Sequence, residues 1–156
     1  MILDNNLIFD TATAVTSTTV VSANVIDFAA ARDMGPGEDI IGIVLCNQPF
    51  LAGTAGSSTV NIQVQVCTTS AGTYSTILES GNLGTAALGA TTATTRAWAF
   101  KLAQNNQGLN GQRYMRLNYS ATINTTNFST GSFQAFLIQG GDFDVYYTSG
   151  IGTISN

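Results

Sequence analysis

Asp142 and Asp144, in Asp142-Phe143-Asp144, set two carboxylates on one face of an extended segment, the smallest donor set that could begin a calcium site. A hard cation of that kind needs six or more oxygens, and no neighbouring residue supplies the rest, so the pair reads as edge charge. Glu38-Asp39, after Gly35-Pro36-Gly37, reads as a solvated loop ahead of an apolar run. Cys46 and Cys67 fall outside any metal-ligand spacing, and with no histidine in the chain no zinc site can be completed. Both sit at the ends of expected strands, where a disulfide is geometrically conceivable, but the favoured reading is two small, half-buried thiols. No Ser–His or Cys–His pair can be assembled, no Gly-x-Ser-x-Gly elbow occurs, and the glycine-rich loops lack the Lys-Ser/Thr of a phosphate cradle. The expectation is a protein without catalysis, cofactor or metal.

The cations are more informative. There are five, Arg32, Arg96, Lys101, Arg113 and Arg116, and only the last two lie close together. Three apart on a strand, Arg113 and Arg116 project to opposite faces, so at least one meets a buried or edge environment that calls for a carboxylate. Asp27, Asp33 and Glu38 are the available partners. We expect an internal ion pair tying the first third of the chain to this late strand, in preference to a pair across a subunit interface.

Charge is scarce overall: 14 of 156 residues are ionic, 9%, with a net charge of −4. An ordinary soluble domain is about 25% charged. Five scattered cations cannot neutralise a phosphate backbone, which argues against nucleic acid. The longest strongly apolar run, Ile40 to Cys46, is seven residues where a spanning helix needs about 20. Met1-Ile2-Leu3-Asp4-Asn5-Asn6 has no basic segment followed by an apolar one, so no secretory signal is expected. The polar surface must be Thr, Ser, Asn and Gln, which repels neighbours weakly and suits a chain packed against other protein.

The elements that position these residues read as all-β. Val60, Ile62, Val64 and Val66 alternate with Asn61, Gln63, Gln65 and Cys67, giving one apolar and one amide-rich face. Trp98, Phe100 and Leu102 alternate with Ala97, Ala99 and Lys101, which favours a core place for Trp98. Met115, Leu117 and Tyr119 share a face opposite Tyr114, Arg116 and Asn118. Ile40–Cys46 and Ser132–Ile138 carry bulk on both faces and read as strands buried on both sides. Weaker strands are expected at Thr13–Val21, Tyr74–Glu79 and Asp142–Tyr147, and a helical turn within Asn24–Asp33. Gly35-Pro36-Gly37, Gly53–Gly56, Ala71-Gly72, Ser80-Gly81-Asn82, Asn110-Gly111 and Gly140-Gly141 read as turns. The 22 threonines favour pleated strands over helix. Roughly eight short strands indicate one β-sandwich or barrel, and periodicity does not choose between a jelly roll and an immunoglobulin-like order. A sandwich domain over residues 1–139 is followed by a glycine- and aromatic-rich segment, 140–156, that is either a last strand or an arm across a neighbouring subunit. Its Phe143, Tyr146, Tyr147 and Ile151 are the candidate interface residues. Asn118-Tyr119-Ser120, Asn124-Thr125-Thr126 and Asn127-Phe128-Ser129 match the glycosylation sequon, as chance allows in so Asn- and Thr-rich a chain.

The opening residues Met1-Ile-Leu-Asp4, Leu7-Ile-Phe9, Ala14-Val-Thr16, Ser22-Ala-Asn24-Val-Ile-Asp27 and Ala31-Arg32-Asp33-Met-Gly35-Pro-Gly37-Glu38 resemble the capsid cement proteins of short-tailed bacteriophages, the type described in a Bordetella phage. The likeness continues through Val60–Val66, Arg113-Tyr-Met-Arg116-Leu-Asn118-Tyr119, Phe128 and Gly131, covering about residues 1–139. It implies a jelly-roll-like β-sandwich made in the host bacterial cytoplasm that sits on the outside of an icosahedral head. There it would clamp major capsid subunits and associate with copies of itself as a dimer or trimer, without catalytic residues. The competing reading is a non-catalytic jelly-roll carbohydrate binder on a phage fibre or cell surface, with Trp98 and the tyrosines as sugar platforms.

Overall fold

In a computed structural model of the chain, the described residues are 5–29, 40–52, 58–88, 95–102, 112–122 and 128–139. They form two antiparallel sheets face to face, a β-sandwich. Sheet A has the order β1 (Ile8–Ala14), β9 (Phe128–Gln139), β4 (Ile40–Ala52), β7 (Thr95–Leu102). Sheet B has the order β2 (Thr19–Val21), β8 (Tyr114–Thr122), β5 (Thr59–Cys67), β6 (Ser75–Gly84), with the two-residue β3 (Ile26–Asp27) also on β8.

The alternation read in the sequence is the alternation seen. In β5, Val60, Ile62, Val64 and Val66 are buried while Asn61, Gln63 and Gln65 face outward; in β8, Met115, Leu117 and Tyr119 point inward. Between the sheets lies the main core, whose centre is a run of aromatic rings. Phe50 meets Phe133 at 4.6 Å and Phe128 edge-on at 5.2 Å, and Phe133 stacks on Tyr119 at 5.0 Å. Trp98 packs against this core, its ring 4.8 Å from Phe100.

β4 and β9 occupy the middle of sheet A and are apolar on both faces, as their sequences required. Val44, Cys46, Phe133, Ala135 and Leu137 join the main core, whereas Ile43, Leu45, Phe136 and Ile138 form a second buried cluster beside Ile8 and Ile41. The pairs Ile43↔Phe136 and Ile41↔Ile138 align the two strands so that each face is apolar across both.

Three expectations need correction. The strand expected over Thr13–Val21 is two: β1 ends at Ala14 in sheet A and β2 begins at Thr19 in sheet B, because the chain crosses between the sheets there. Over the described part of the helical turn expected within Asn24–Asp33, the chain forms β3, since Ile26 pairs with Met115 and Asp27 with Tyr114; residues 30–33 lie outside the described residues. The short helix is instead Thr85–Leu88, four residues too few to show a period. Ser80-Gly81-Asn82 is no turn but an interruption inside β6: Gly81 takes a φ of +73° and the register to β5 shifts between Asn61 and Gln63. No helix among the described residues is long and apolar enough to cross a membrane. The strand expected at Asp142–Tyr147 lies outside the described residues.

Candidate functional site

Among the described residues, the outer face of sheet B carries a broad set of polar side chains. Pairing in register places them in rows across three strands. Arg116 on β8, Gln65 on β5 and Thr76 on β6 form one row; Asn118, Gln63 and Glu79 form the next; Ser120, Asn61 and Asn82 the third. Within the rows the side chains bond to one another. Arg116 Nε donates to Gln65 Oε1 at 3.0 Å, and Gln65 Nε2 donates to Thr76 Oγ1 at 3.4 Å. Asn118 Nδ2 donates to Gln63 Oε1 at 2.7 Å, and Gln63 Nε2 donates to Glu79 Oε1 at 3.2 Å. Asn61 Nδ2 reaches the other Glu79 oxygen at 3.1 Å. Each donor thus hands on toward β6, and Glu79 is the terminal acceptor. The result is a nearly neutral surface whose polar side chains are held in set orientations by one another.

The structure brings Arg113 and Asp27 together and gives Arg116 different company. Arg113 Nε and Nη2 donate to the two oxygens of Asp27 at 2.7 and 2.8 Å, clipping β3 to the start of β8. The Asp27 carboxyl is held below its usual range chiefly by that hydrogen bond, and the Arg113 guanidinium is raised by the same contact. Both side chains are about two-fifths exposed, at 40% and 41%, so the pair is a surface clip and water screens it. Arg116 lies over the Tyr74 ring, 3.9 Å from its centroid, a cation–π contact in place of a carboxylate. Asp33 and Glu38 lie outside the described residues, as do Asp142, Asp144, Phe143, Tyr146, Tyr147 and Ile151.

A buried carboxylate that sequence reasoning missed sits elsewhere. Asp10 on β1 is fully buried and accepts from Tyr119 Oη at 2.5 Å, from the Ala23 backbone N–H at 2.7 Å, and from the Thr13 hydroxyl. It therefore ties β1 of sheet A to β8 of sheet B and to the segment before β3. Burial first, and then the neighbouring Asp10, push the Tyr119 hydroxyl well above its ordinary value. The folded state keeps a proton there that the unfolded chain releases, so this contribution is complete below about pH 10 and is lost as pH rises from there toward the folded value. Alkaline titration should show tyrosine ionisation near 295 nm lagging furthest for Tyr119, with that step arriving together with loss of near-UV dichroism. Ionisation of all five tyrosines well before unfolding would contradict it.

Other possible sites are thinner. Cys46 and Cys67 are buried and unpaired, and Cys46 Sγ donates to the Leu88 carbonyl at 3.2 Å, with burial pushing that thiol up. No group of three or more His, Cys, Asp or Glu that could hold a metal occurs among the described residues. An open cleft of about 360 Å³, lined by Asn5, Asn6, Asn24 and Asp27 among others, offers amides and a carboxylate already committed to Arg113. Asn118, one of the sequon asparagines, is buried in the face and bonded to Gln63.

Two of the sheet edges are guarded against strand addition. On β1, Asn24 covers the edge, its N–H donating to the Phe9 carbonyl at 2.9 Å and its side chain to the Ile8 carbonyl at 3.1 Å. On β6 the register to β5 shifts twice, which bends that edge out of line.

A family model described as Bbp16 matches residues 9–137. No curated protein matches the chain.

Proposed function

This chain belongs to the Bbp16 family, a phage-associated family, and we propose that it serves as a capsid cement protein. In this reading it is made in the host bacterial cytoplasm, coats the outside of an icosahedral head, bridges major capsid subunits, and associates with its own copies there. It has no catalytic role. The observation that carries the proposal is the outer face of sheet B: a broad lattice of paired amides on a chain that is 9% charged. Amides and hydroxyls can meet capsid backbone without the desolvation penalty of buried ions. Many modest contacts, repeated over a shell, then add up to a high barrier against pulling subunits apart.

The strand order supports reading the sandwich as a jelly roll. Among the described residues, β9 lies between β1 and β4 in one sheet, and β8 lies between β2 and β5 in the other, the nesting that two Greek keys produce. The segment 140–156, with Phe143, Tyr146, Tyr147 and Ile151, is the arm that reaches a neighbour in this proposal. A carbohydrate-binding role has weaker support, because Trp98 is half-buried against the core and the Tyr74 ring is covered by Arg116.

The test is co-sedimentation with purified heads. Binding should saturate, and its affinity should change by no more than about threefold across a tenfold rise in salt, since few charges can be screened. Deleting Gly140–Asn156 should weaken binding by about tenfold or more through the lost second contact. Failure to pellet with heads, joined with retention on a neutral polysaccharide column, would overturn the proposal in favour of the sugar binder.

A further inference from the structure

We infer that the stretch Asp142–Tyr147 folds back across the outer face of its own sheet A, with Phe143, Val145 and Tyr147 lying on the buried cluster of Ile43, Leu45, Phe136 and Ile138. The inference stands apart from the cement role. It fixes the root of the proposed arm and leaves the residues from Thr148 onward to reach outward.

Those four large side chains are buried on the side of sheet A that turns away from sheet B. Ile43 is 0% exposed, Leu45 1%, Phe136 2% and Ile138 4%. Among the described residues, the hydrophobic side chains packed against them are Ile8 and Ile41, which belong to the same face. The helical turns Asn5–Leu7 and Thr85–Leu88 send Leu7 and Leu88 into the main core instead. Neighbours within one face of a sheet shield each other's flanks but not their tops, so exposure near zero calls for a further layer. That layer comes from outside the described residues.

Bulk, reach and charge each point to the same occupant. The cluster spans three strands about 4.8 Å apart and three rows about 7 Å apart, an area that two or three side chains of ring size can cover. Of the stretches that precede, link or follow the described residues, 140–156 is the one that carries aromatic side chains. Reach is ample. Gln139 ends β9 directly after Ile138, and four residues extend to about 14 Å, whereas β4 lies about 5 Å to the side. Gly140-Gly141 suits the sharp reversal that leaving β9 demands.

Charge fits as well. Ile41 pairs with Ile138 on one side and Lys101 on the other, and Leu45 pairs likewise with Gln134 and Arg96. The β7 margin of the cluster thus carries two of the chain's five cations, both exposed. In an extended stretch, Phe143, Val145 and Tyr147 share one face, and Asp142 and Asp144 share the other with Tyr146. Laid on the cluster, the apolar face points down and the two carboxylates stay at the surface, within reach of the long Lys101 side chain. The acidic pair that cannot make a cation site on its own then serves to orient the stretch.

Nuclear magnetic resonance of the full chain, without heads, is the measurement. Overhauser contacts should join the Phe143 and Tyr147 rings to the methyl groups of Ile43 and Leu45. Mixing isotope-labelled with unlabelled protein should show that these contacts stay within one chain. Chymotrypsin gives a second readout on variants shown folded by circular dichroism. Phe143→Ser should raise the rate of cleavage after Tyr146 and Tyr147 by about tenfold or more, because the open form becomes more populated. Lys101→Glu should raise it about two- to fivefold, and adding Asp142→Lys and Asp144→Lys should return it to within about twofold of wild type. The inference is overturned if the ring-to-methyl contacts are missing, or if Met1–Leu3 or residues 30–39 make them instead. Contacts seen only between labelled and unlabelled chains overturn it too, since a second copy then covers the face. So does cleavage that Phe143→Ser leaves unchanged. Head binding is read separately by co-sedimentation, so failure here leaves the cement proposal standing, and failure to bind heads leaves this contact standing.

Discussion

Replacing Asp10 with Ala should lower the free energy of unfolding by about 3–5 kcal/mol, against the roughly 5–15 kcal/mol that holds a domain of this kind together. The carboxylate is fully buried and accepts three hydrogen bonds from three segments of chain. Truncation leaves the buried Tyr119 hydroxyl without an acceptor, at about 1–3 kcal/mol, removes the bond to the N–H of the exposed Ala23 at a smaller cost, and adds a small cavity. Tyr119→Phe removes one donor and leaves Asp10 with two, so its cost should be smaller, about 1–2 kcal/mol. Combining the two substitutions should cost less than their sum, because the second change removes a group the first had already orphaned. Denaturant unfolding of the four proteins provides the measurement. A loss below about 1 kcal/mol for Asp10→Ala would mean that water or another acceptor replaces the bonds and that the two sheets do not depend on this tie.

Asp10 also marks the limit of what the chain discloses in one dimension. The strands β4, β5, β7, β8 and β9 were legible because burial imposes a period of two, or a doubly apolar run in the centre of a sheet, and no tertiary knowledge is needed to see either. A carboxylate in Leu7-Ile8-Phe9-Asp10-Thr11 looks like the polar half of an ordinary alternation. Its burial follows from Tyr119, 109 residues away, which arrives only when the sheets close. The irregularities of β6 were hidden for a similar reason. Ser80-Gly81-Asn82 has turn chemistry, and Gly81 does take positive φ, but β5 continues to pair on either side, with Asn61 opposite Asn82 and Gln63 opposite Glu79.

The polar face was half legible. The alternation of amides on β5 announced a polar side, and the Arg-Tyr-x-Arg spacing announced two unusual cations. Which strands flank β5, and therefore which groups each amide meets, is a fact of topology. Only when β8 and β6 are set on its two sides does Arg116 acquire Gln65 and Tyr74, and only then do the bonds share a direction. Asp27 was one of three carboxylates offered to the two arginines; it is joined to Arg113 because β3 pairs with β8 at Tyr114.

Gly131→Ala should cost about 3–4 kcal/mol, a second large loss at a residue with no side chain of its own. Two effects add. Gly131 sits at a φ of +139°, which a residue with a Cβ rarely adopts and which costs about 1–3 kcal/mol. A methyl group there would lie 2.4 Å from Phe50 Cδ1 and 2.5 Å from Cγ, a clash the ring cannot leave. Phe50 is fully buried, with Phe133 on one side at 4.6 Å and Phe128 edge-on at 5.2 Å. Displacing it presses on Phe133, which stacks on Tyr119, the donor to Asp10, so the disturbance runs toward the inter-sheet tie. The two effects can be separated. Phe50→Leu removes the ring and should relieve the steric part, about 1–3 kcal/mol, when added to Gly131→Ala, while the backbone part remains. If Phe50→Leu instead adds its full cost to that of Gly131→Ala, the methyl group is accommodated by a shift of the backbone at β9, and the glycine is there for its dihedral angle alone.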